Sequence, residues 1–313
     1  MAQTERTFLR DPAKYGSVRG LDYSSVPWRL YQKAKKLFWD PADIDFSQDA
    51  KDWQALPQEQ QYMVGGLARG FMVGEEAVTL DILPLVQAIA DENRTEETMF
   101  LATFVLEEAK HIEFFRLWFD AVGFDPREFN QYVPRDGRRL IFSDELPEVM
   151  SRLNRDRSPE AVFDAALTYN QFVEGVMAIS GYRMWHRVAG QFGIMPGLRE
   201  GLEYVQRDER RHIAYGTFLA RRLLAEHPHL LDFAEKRFEE LRVIALPSPD
   251  EVAVQGPPGS AALFEPFRTY AMALIPRRIE ALKKALTIDP NEIEAMIDAD
   301  DAEAQLLDAA EQA

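Results

Sequence analysis

A chain of 313 residues, 46% hydrophobic and 11% aromatic, is long enough to bury a large core and too apolar for wholesale disorder. Its 52 acidic and 36 basic residues leave a formal net charge of -16, which argues against nucleic acid and anionic membranes, whose phosphates would repel it. The absence of cysteine excludes disulfides, thiolate ligands, iron–sulfur clusters and thiol nucleophiles.

In chain order, residues 1–55 read as an irregular segment punctuated by Pro12, Gly16, Gly20, Pro27 and Pro41. Within it, Phe38-Trp39-Asp40-Pro41-Ala42-Asp43-Ile44-Asp45-Phe46 reads as a loop pinned onto the rest by its aromatics. A helix is predicted from Pro57 to Ala90, kinked at Pro84, whose ring removes a backbone donor. Gly65, Gly66, Gly70 and Gly74 within it imply either close packing or a local break. After a turn at Asp91–Arg94, a second helix is predicted from Thr95 to Val122, ended by Gly123. Residues 124–158 hold one or two short helices. Ser158 as cap and Pro159 at the first position open a third long helix to Ala189. A turn at Gly190–Gly197 leads to a fourth, Leu198–Ala225, followed by Leu230–Ala245. Pro247–Ser260 is a linker, and residues 261–285 and 291–310 are two accessory helices.

No strand alternation occurs, so the fold class is all-α, a single domain over 1–313 with its helical bundle at 56–245. No run of about 18 apolar residues occurs, and the start MAQTERTFLRDPAKYG lacks a signal-peptide core. A cytoplasmic protein without a transmembrane segment is expected.

The chemistry lies in a doubled motif. Glu107-Glu108-Ala109-Lys110-His111 and Asp208-Glu209-Arg210-Arg211-His212 both read acid, Glu, any residue, base, His. On a helix, Glu and His three apart share a face and can point at one atom. Glu75 lies about 16 residues before the first turn and Glu108 about 13 after it; at about 1.5 Å per residue the two meet at similar depth. Glu174 and Glu209 repeat the arrangement around the second turn. Glu76 points about 100° away from Glu75, so one of the two faces inward. A Glu from each of two helices with Glu-x-x-His from the other two is the ligand pattern of a di-metal carboxylate site in a four-helix bundle. Four such carboxylates repel one another unless divalent cations neutralise them, and oxygen donors with one imidazole per metal suit manganese or iron. His186, His227 and His229 lack a paired Glu at helical spacing and receive no role.

At these residues, over about 28–245, the chain resembles the ribonucleotide reductase small-subunit superfamily, which implies a ferritin-like bundle with additional helices. One position departs: where the radical-bearing Tyr of that family would stand, one turn after the first ligand His, this chain has Phe115, and no Tyr follows Tyr270. The nearer resemblance is to the ligand-binding oxidases similar to that subunit. It is carried by Gly74-Glu75-Glu76-Ala77-Val78, the first doubled motif, Tyr169-Asn170-Gln171-Phe172-Val173-Glu174-Gly175, and the second doubled motif. The resemblance selects Glu75 over Glu76. It implies Glu75, Glu108 and His111 on one metal and Glu174, Glu209 and His212 on the other. It further implies a heterodinuclear Mn/Fe pair (di-iron being the alternative), a long-chain fatty acid whose carboxylate touches the metals, O2 as oxidant, a homodimer, and a covalent ether between Val78 and Tyr169.

Val78 lies three residues from Glu75 on nearly the same face, and its tertiary Cβ–H is the weakest aliphatic bond of that side chain. On a regular helix Tyr169 points about 140° from Glu174, so either the phenol reaches back or a π-bulge distorts the helix. Asp208 is placed to hydrogen-bond a ligand imidazole, and Tyr182 to face the site; both read equally well as ordinary helix residues. The leading expectation is an O2-activating di-metal oxidase. A ribonucleotide reductase small subunit of tyrosine-independent type is the second reading, and a fatty-acid-binding or metal-storage bundle the third.

Overall fold

The computed structural model describes residues 16–125, 127, 140–192, 194–251 and 260–287. Among them the regular structure is entirely helical. The predicted 291–310 helix lies outside the described residues.

The N-terminal segment is not irregular. It carries α1 (Val26–Lys36) and α2 (Ser47–Ala55), joined by a short 3₁₀ turn at Pro41–Asp43. Pro27 does not break the chain: it stands in the first turn of α1, where its missing N–H is no loss, and the Ser25 hydroxyl accepts from the Trp28 amide. Val26, Leu30 and Ala34 recur every four residues and are buried together. The aromatic pinning of the 38–46 stretch is as expected for Trp39, Ile44 and Phe46, whereas Phe38 is exposed.

The predicted Pro57–Ala90 helix is two helices, α3 (Gln58–Asp81) and α4 (Leu83–Asp91), meeting at Ile82. Pro84 acts as a helix start here too. The glycines leave α3 unbroken; at Gly65 a Cβ would stand 2.7 Å from the Phe124 ring, so close packing explains that one. α5 (Thr95–Val122) ends as predicted at Gly123, whose φ of 70° lets the Phe124 amide reach back to the Phe119 carbonyl. A single π turn, Ile141–Glu145, runs into α6 (Leu146–Arg152).

The third long helix opens with the predicted Ser158 cap, as α7 (Pro159–Ala166). It then winds as a π-helix over Leu167–Ala178 before resuming as α8 (Ile179–Phe192). The fourth, α9 (Pro196–Glu226), is anchored from α2: the buried Asp49 carboxylate accepts from the Gly197 and Leu198 amides at 2.8 and 2.7 Å and from Trp118 Nε1 at 3.1 Å. α10 (Leu230–Ala245) has its predicted bounds, and α11 (Ser260–Lys283) packs on α8, α9, α10 and the π segment.

The bundle of α3, α5, the α7–α8 helix and α9 has two apolar clusters. One is built around Phe100, Phe104, Phe172 and Phe218, the other around Phe114, Phe115, Trp118 and Trp185. The charged residues of the doubled motif sit between them.

Candidate di-metal centre

Glu75 comes from α3, Glu108 and His111 from α5, Glu174 from the π segment, and Glu209 and His212 from α9. All six are buried, while Glu76 is exposed, so the inward choice is Glu75. Their donor atoms form two overlapping groups, Glu75, Glu108, His111 and Glu209 in one and Glu108, Glu174 and His212 in the other. Nδ1 of His111 lies 3.1 Å from Glu75 and 3.6 Å from Glu108. Nδ1 of His212 lies 3.0 Å from Glu108 and 3.8 Å from Glu174. Glu209 Oε1 spans the two positions, 3.5 Å from His111 Nδ1 and 3.8 Å from His212 Nδ1. The buried Glu108 Oε2, Glu174 Oε1, Glu209 Oε2 and His212 Nδ1 have no hydrogen-bond partner among the described residues. Lone pairs left unsatisfied this deep, converging on one space, fit cations.

The far side of each imidazole faces an acid of the opposite motif. His212 Nε2–H donates to Glu107 Oε2 at 2.9 Å, and His111 Nε2 faces Asp208 Oδ2 at 3.6 Å. Arg211 donates to Glu107 and Asp208 at 2.5 Å each, tying the two acids together. Asp208 thus faces a ligand imidazole as expected, but its hydrogen bonds come from Trp39 Nε1 at 2.7 Å, Lys110 at 3.1 Å and Arg211. Glu107 was not singled out from the sequence. The signal was present: an acid stands four residues before both histidines.

The π segment settles the orientation of Tyr169. With i→i+5 bonding, residues five apart fall on one face, so Tyr169 and Glu174 turn inward together. The Tyr169 hydroxyl donates to Glu108 Oε1 at 3.3 Å, and its ring stacks on Phe104, which also stacks on His212 at 3.6 Å. Tyr182 is buried and donates to Glu75 Oε1 at 3.5 Å. Val78 is buried one turn from Glu75. Phe115 lies in an apolar stack with Phe71 and Phe114. His186 hydrogen-bonds Gln206, and His229 pairs with Glu160 on the surface.

Metal-free, these groups share protons. Burial pushes the Glu75 carboxyl up to about 8, against the pull of His111. Burial, then Glu209, lifts Glu174 well above the carboxylate range, and burial, then Glu108, raises Glu209. Burial opposes charge on both histidines, but Glu75 and Asp208 around His111, and Glu107 and Glu108 around His212, outweigh it and hold both well above the usual imidazole value. Burial would raise Glu108 and Asp208 too. The two imidazoles outweigh it at Glu108, and His111 with Arg211 at Asp208, so both are lowered.

A group whose pKa is raised on folding stabilises the fold at low pH and loses that stabilisation as pH rises, for Glu75 from 4.5 to about 8 and for the imidazoles above 6.5. Glu108 and Asp208 have the opposite sign and lose their contribution only in acid. Chelator-stripped protein is therefore expected to melt at a lower temperature at about pH 8.5 than at about pH 6. Metal-loaded protein should do the reverse, because binding expels those protons. Paired thermal melts check this; a flat profile for the stripped protein would contradict the shared protons.

A family model described as ribonucleotide reductase, small chain, matches residues 22–243. An R2-like ligand-binding oxidase from Sulfolobus acidocaldarius is 35% identical, with 92% of this chain and 100% of that one covered and a TM-score of 0.78. A mutant R2-like ligand-binding oxidase with an anaerobically reconstituted Mn/Fe cofactor is 37% identical, covering 85% and 97%, with a TM-score of 0.76. Another, with an aerobically reconstituted Mn/Fe cofactor, is 34% identical, covering 95% and 96%, with a TM-score of 0.70. No helix among the described residues is long and apolar enough to cross a membrane. Matched along most of its length by sequence and structure, the chain belongs to the ribonucleotide reductase small-chain family and, within it, to the R2-like ligand-binding oxidases, a group of oxidoreductases.

Proposed function

We propose that this protein is an O2-activating oxidase that holds a Mn/Fe pair, binds a long-chain fatty acid beside it, and carries out two-electron oxidation of C–H bonds, including one of its own that forms a Val78–Tyr169 ether. Glu75, Glu108 and His111 would hold the first metal and Glu174, Glu209 and His212 the second. The observation that carries this reading is the convergence of six buried ligand side chains with a buried phenol, Tyr169, 3.3 Å from Glu108. The bound pair supplies the capacity to reduce O2 and to oxidise an unactivated C–H bond.

The chain's own residues prepare the place. Glu107 holds the His212 imidazole through Nε2 and Asp208 faces His111 Nε2, with Nδ1 of each ring pointing inward. Phe104, Phe114 and Phe115 keep the surroundings dry, which strengthens every electrostatic contact inside. Burial raises the Tyr169 phenol well above its ordinary pKa, with Glu108 and Glu174 adding to it, so its proton stays on until the ether forms. A soluble homodimer in the cytoplasm is the assembly and location that we propose with it.

The test loads stripped protein anaerobically with Mn(II) and Fe(II), admits O2, and follows O2 consumption. Denaturing extraction with lipid mass spectrometry is expected to release a fatty acid in amounts comparable to the protein. Loaded protein that consumes no O2, or that carries no lipid even after exposure to it, defeats the corresponding half of the reading.

A further inference from the structure

Arg278 breaks the pattern of the helix that carries it. α11 turns Phe267, Ala271, Leu274, Ile275, Ala281 and Leu282 into the core. Arg278 stands in the same stripe, 1% exposed, where an aliphatic side chain would pack. A guanidinium taken so far from water is costly to keep, and local rules broken this way concentrate at functional positions. Its Nε–H donates to the Gly175 carbonyl at 3.1 Å. Gly175 directly follows Glu174 inside the π segment, and a Cβ there would stand 2.9 Å from that Nε. Burial draws the Arg278 pKa down to about 9, opposed by Tyr270 and Glu174, so it remains charged at neutral pH.

The other side of Glu174 is held as well. Asn170 Nδ2–H donates to Glu174 Oε2 at 3.0 Å, and Asn170 packs over Gly216 of α9, where a Cβ would meet it at 2.0 Å. A π winding is less favourable than the α winding open to the same residues, so something outside the segment must hold it. Asn170 fixes the carboxylate, and Arg278 fixes the backbone that bears it.

We propose that Arg278 of the accessory helix is a positioning residue for Glu174, keeping the π-wound backbone in the register that turns this carboxylate toward the second metal position. The proposal rests on the di-metal reading above, and the experiment separates the two. Full-length protein is titrated anaerobically with Mn(II), with metal content and electron paramagnetic resonance as readouts and the melting of stripped protein as control. Wild-type protein is expected to give the spectrum of a magnetically coupled pair. Arg278→Met should bind the first Mn(II) normally and the second about 10- to 100-fold more weakly, leaving the spectrum of an isolated ion. Gly175→Ala, which keeps the guanidinium but displaces it, should do the same, and it carries the test if Arg278→Met does not fold. Arg278→Lys, retaining charge and a donor, should recover part of the second site. Normal second-ion affinity in both Arg278→Met and Gly175→Ala would overturn the proposal. So would an equal loss of both ions accompanied by a lower melting temperature, the mark of a merely structural residue. Wild-type protein that binds no Mn(II) would refute the metal site itself.

Discussion

Glu108→Gln is expected to lose its metals and to weaken the metal-free fold, whereas Glu174→Gln is expected to lose metal binding alone. Both carboxyls are buried, and the difference lies in their charge. Burial pushes Glu108 up, but His111 and His212 outweigh it and keep it ionised, with His212 Nδ1 at 3.0 Å and His111 Nδ1 at 3.6 Å. Removing that charge strands two buried imidazoliums that lean on it, and breaking a buried pair in this way costs about 3–5 kcal/mol. Glu174 is raised by burial and by Glu209, so without metal it holds its proton to higher pH than an ordinary carboxyl. An amide there replaces a carboxyl whose charge burial already disfavours, and Asn170 can still donate to its oxygen. With metal present the two variants converge, because each has lost an anionic donor, and affinity should fall at least about 100-fold. Denaturation of stripped protein and metal analysis of loaded protein check both halves. Glu108→Gln with a full complement of metals and undiminished O2 consumption would reduce the doubled motif to coincidence.

The parts of this site that were legible in the sequence are those that depend on helical spacing alone. Glu108 with His111, Glu209 with His212, and the equal depths of Glu75 and Glu174 follow from 3.6 residues per turn and the rise per residue. Departures from regular winding were harder to read. The turn-rich composition of 1–55 hid α1 because Pro27 serves in a first turn and not as a break. The angular mismatch between Tyr169 and Glu174 pointed to a distortion, yet nothing local fixes a π winding of Leu167–Ala178. It is held by contacts far away in the chain, through Asn170 over Gly216, Gln171 donating to Thr217, and Arg278 on Gly175. The brace from Glu107 to His212 joins residues 105 positions apart and needs the fold to be seen. Asp49, read within an irregular segment, turned out to cap the helix bearing Glu209 and His212.

Aerobic reconstitution is expected to make the intact chain about 2 Da lighter, because joining Val78 Cβ to the Tyr169 oxygen removes one C–H and one O–H hydrogen. The two electrons and two protons pass to O2, so the change requires both O2 and loaded metal and should be absent from stripped protein. The placement of the partners supports this pairing. Val78 is buried one turn from Glu75, and Tyr169 is fully buried, its hydroxyl held by Glu108. The new bond would tie α3 to the π segment and close a loop of roughly 90 residues, which by chain entropy stabilises the fold by about 4.6 kcal/mol. For a chain of this length that corresponds to a rise in melting temperature of roughly 7 °C. Val78→Ala removes the tertiary carbon and Tyr169→Phe the phenol oxygen, so neither should lose mass or gain stability on exposure to O2. Both keep all six ligand residues and should still bind metal, which separates the crosslink from the site that makes it. Tandem mass spectrometry of a digest decides the matter: a single joined species containing Val78 and Tyr169 is expected. Two separate, unmodified peptides from fully loaded, O2-exposed protein would show that Tyr169 sits beside the metals for another reason.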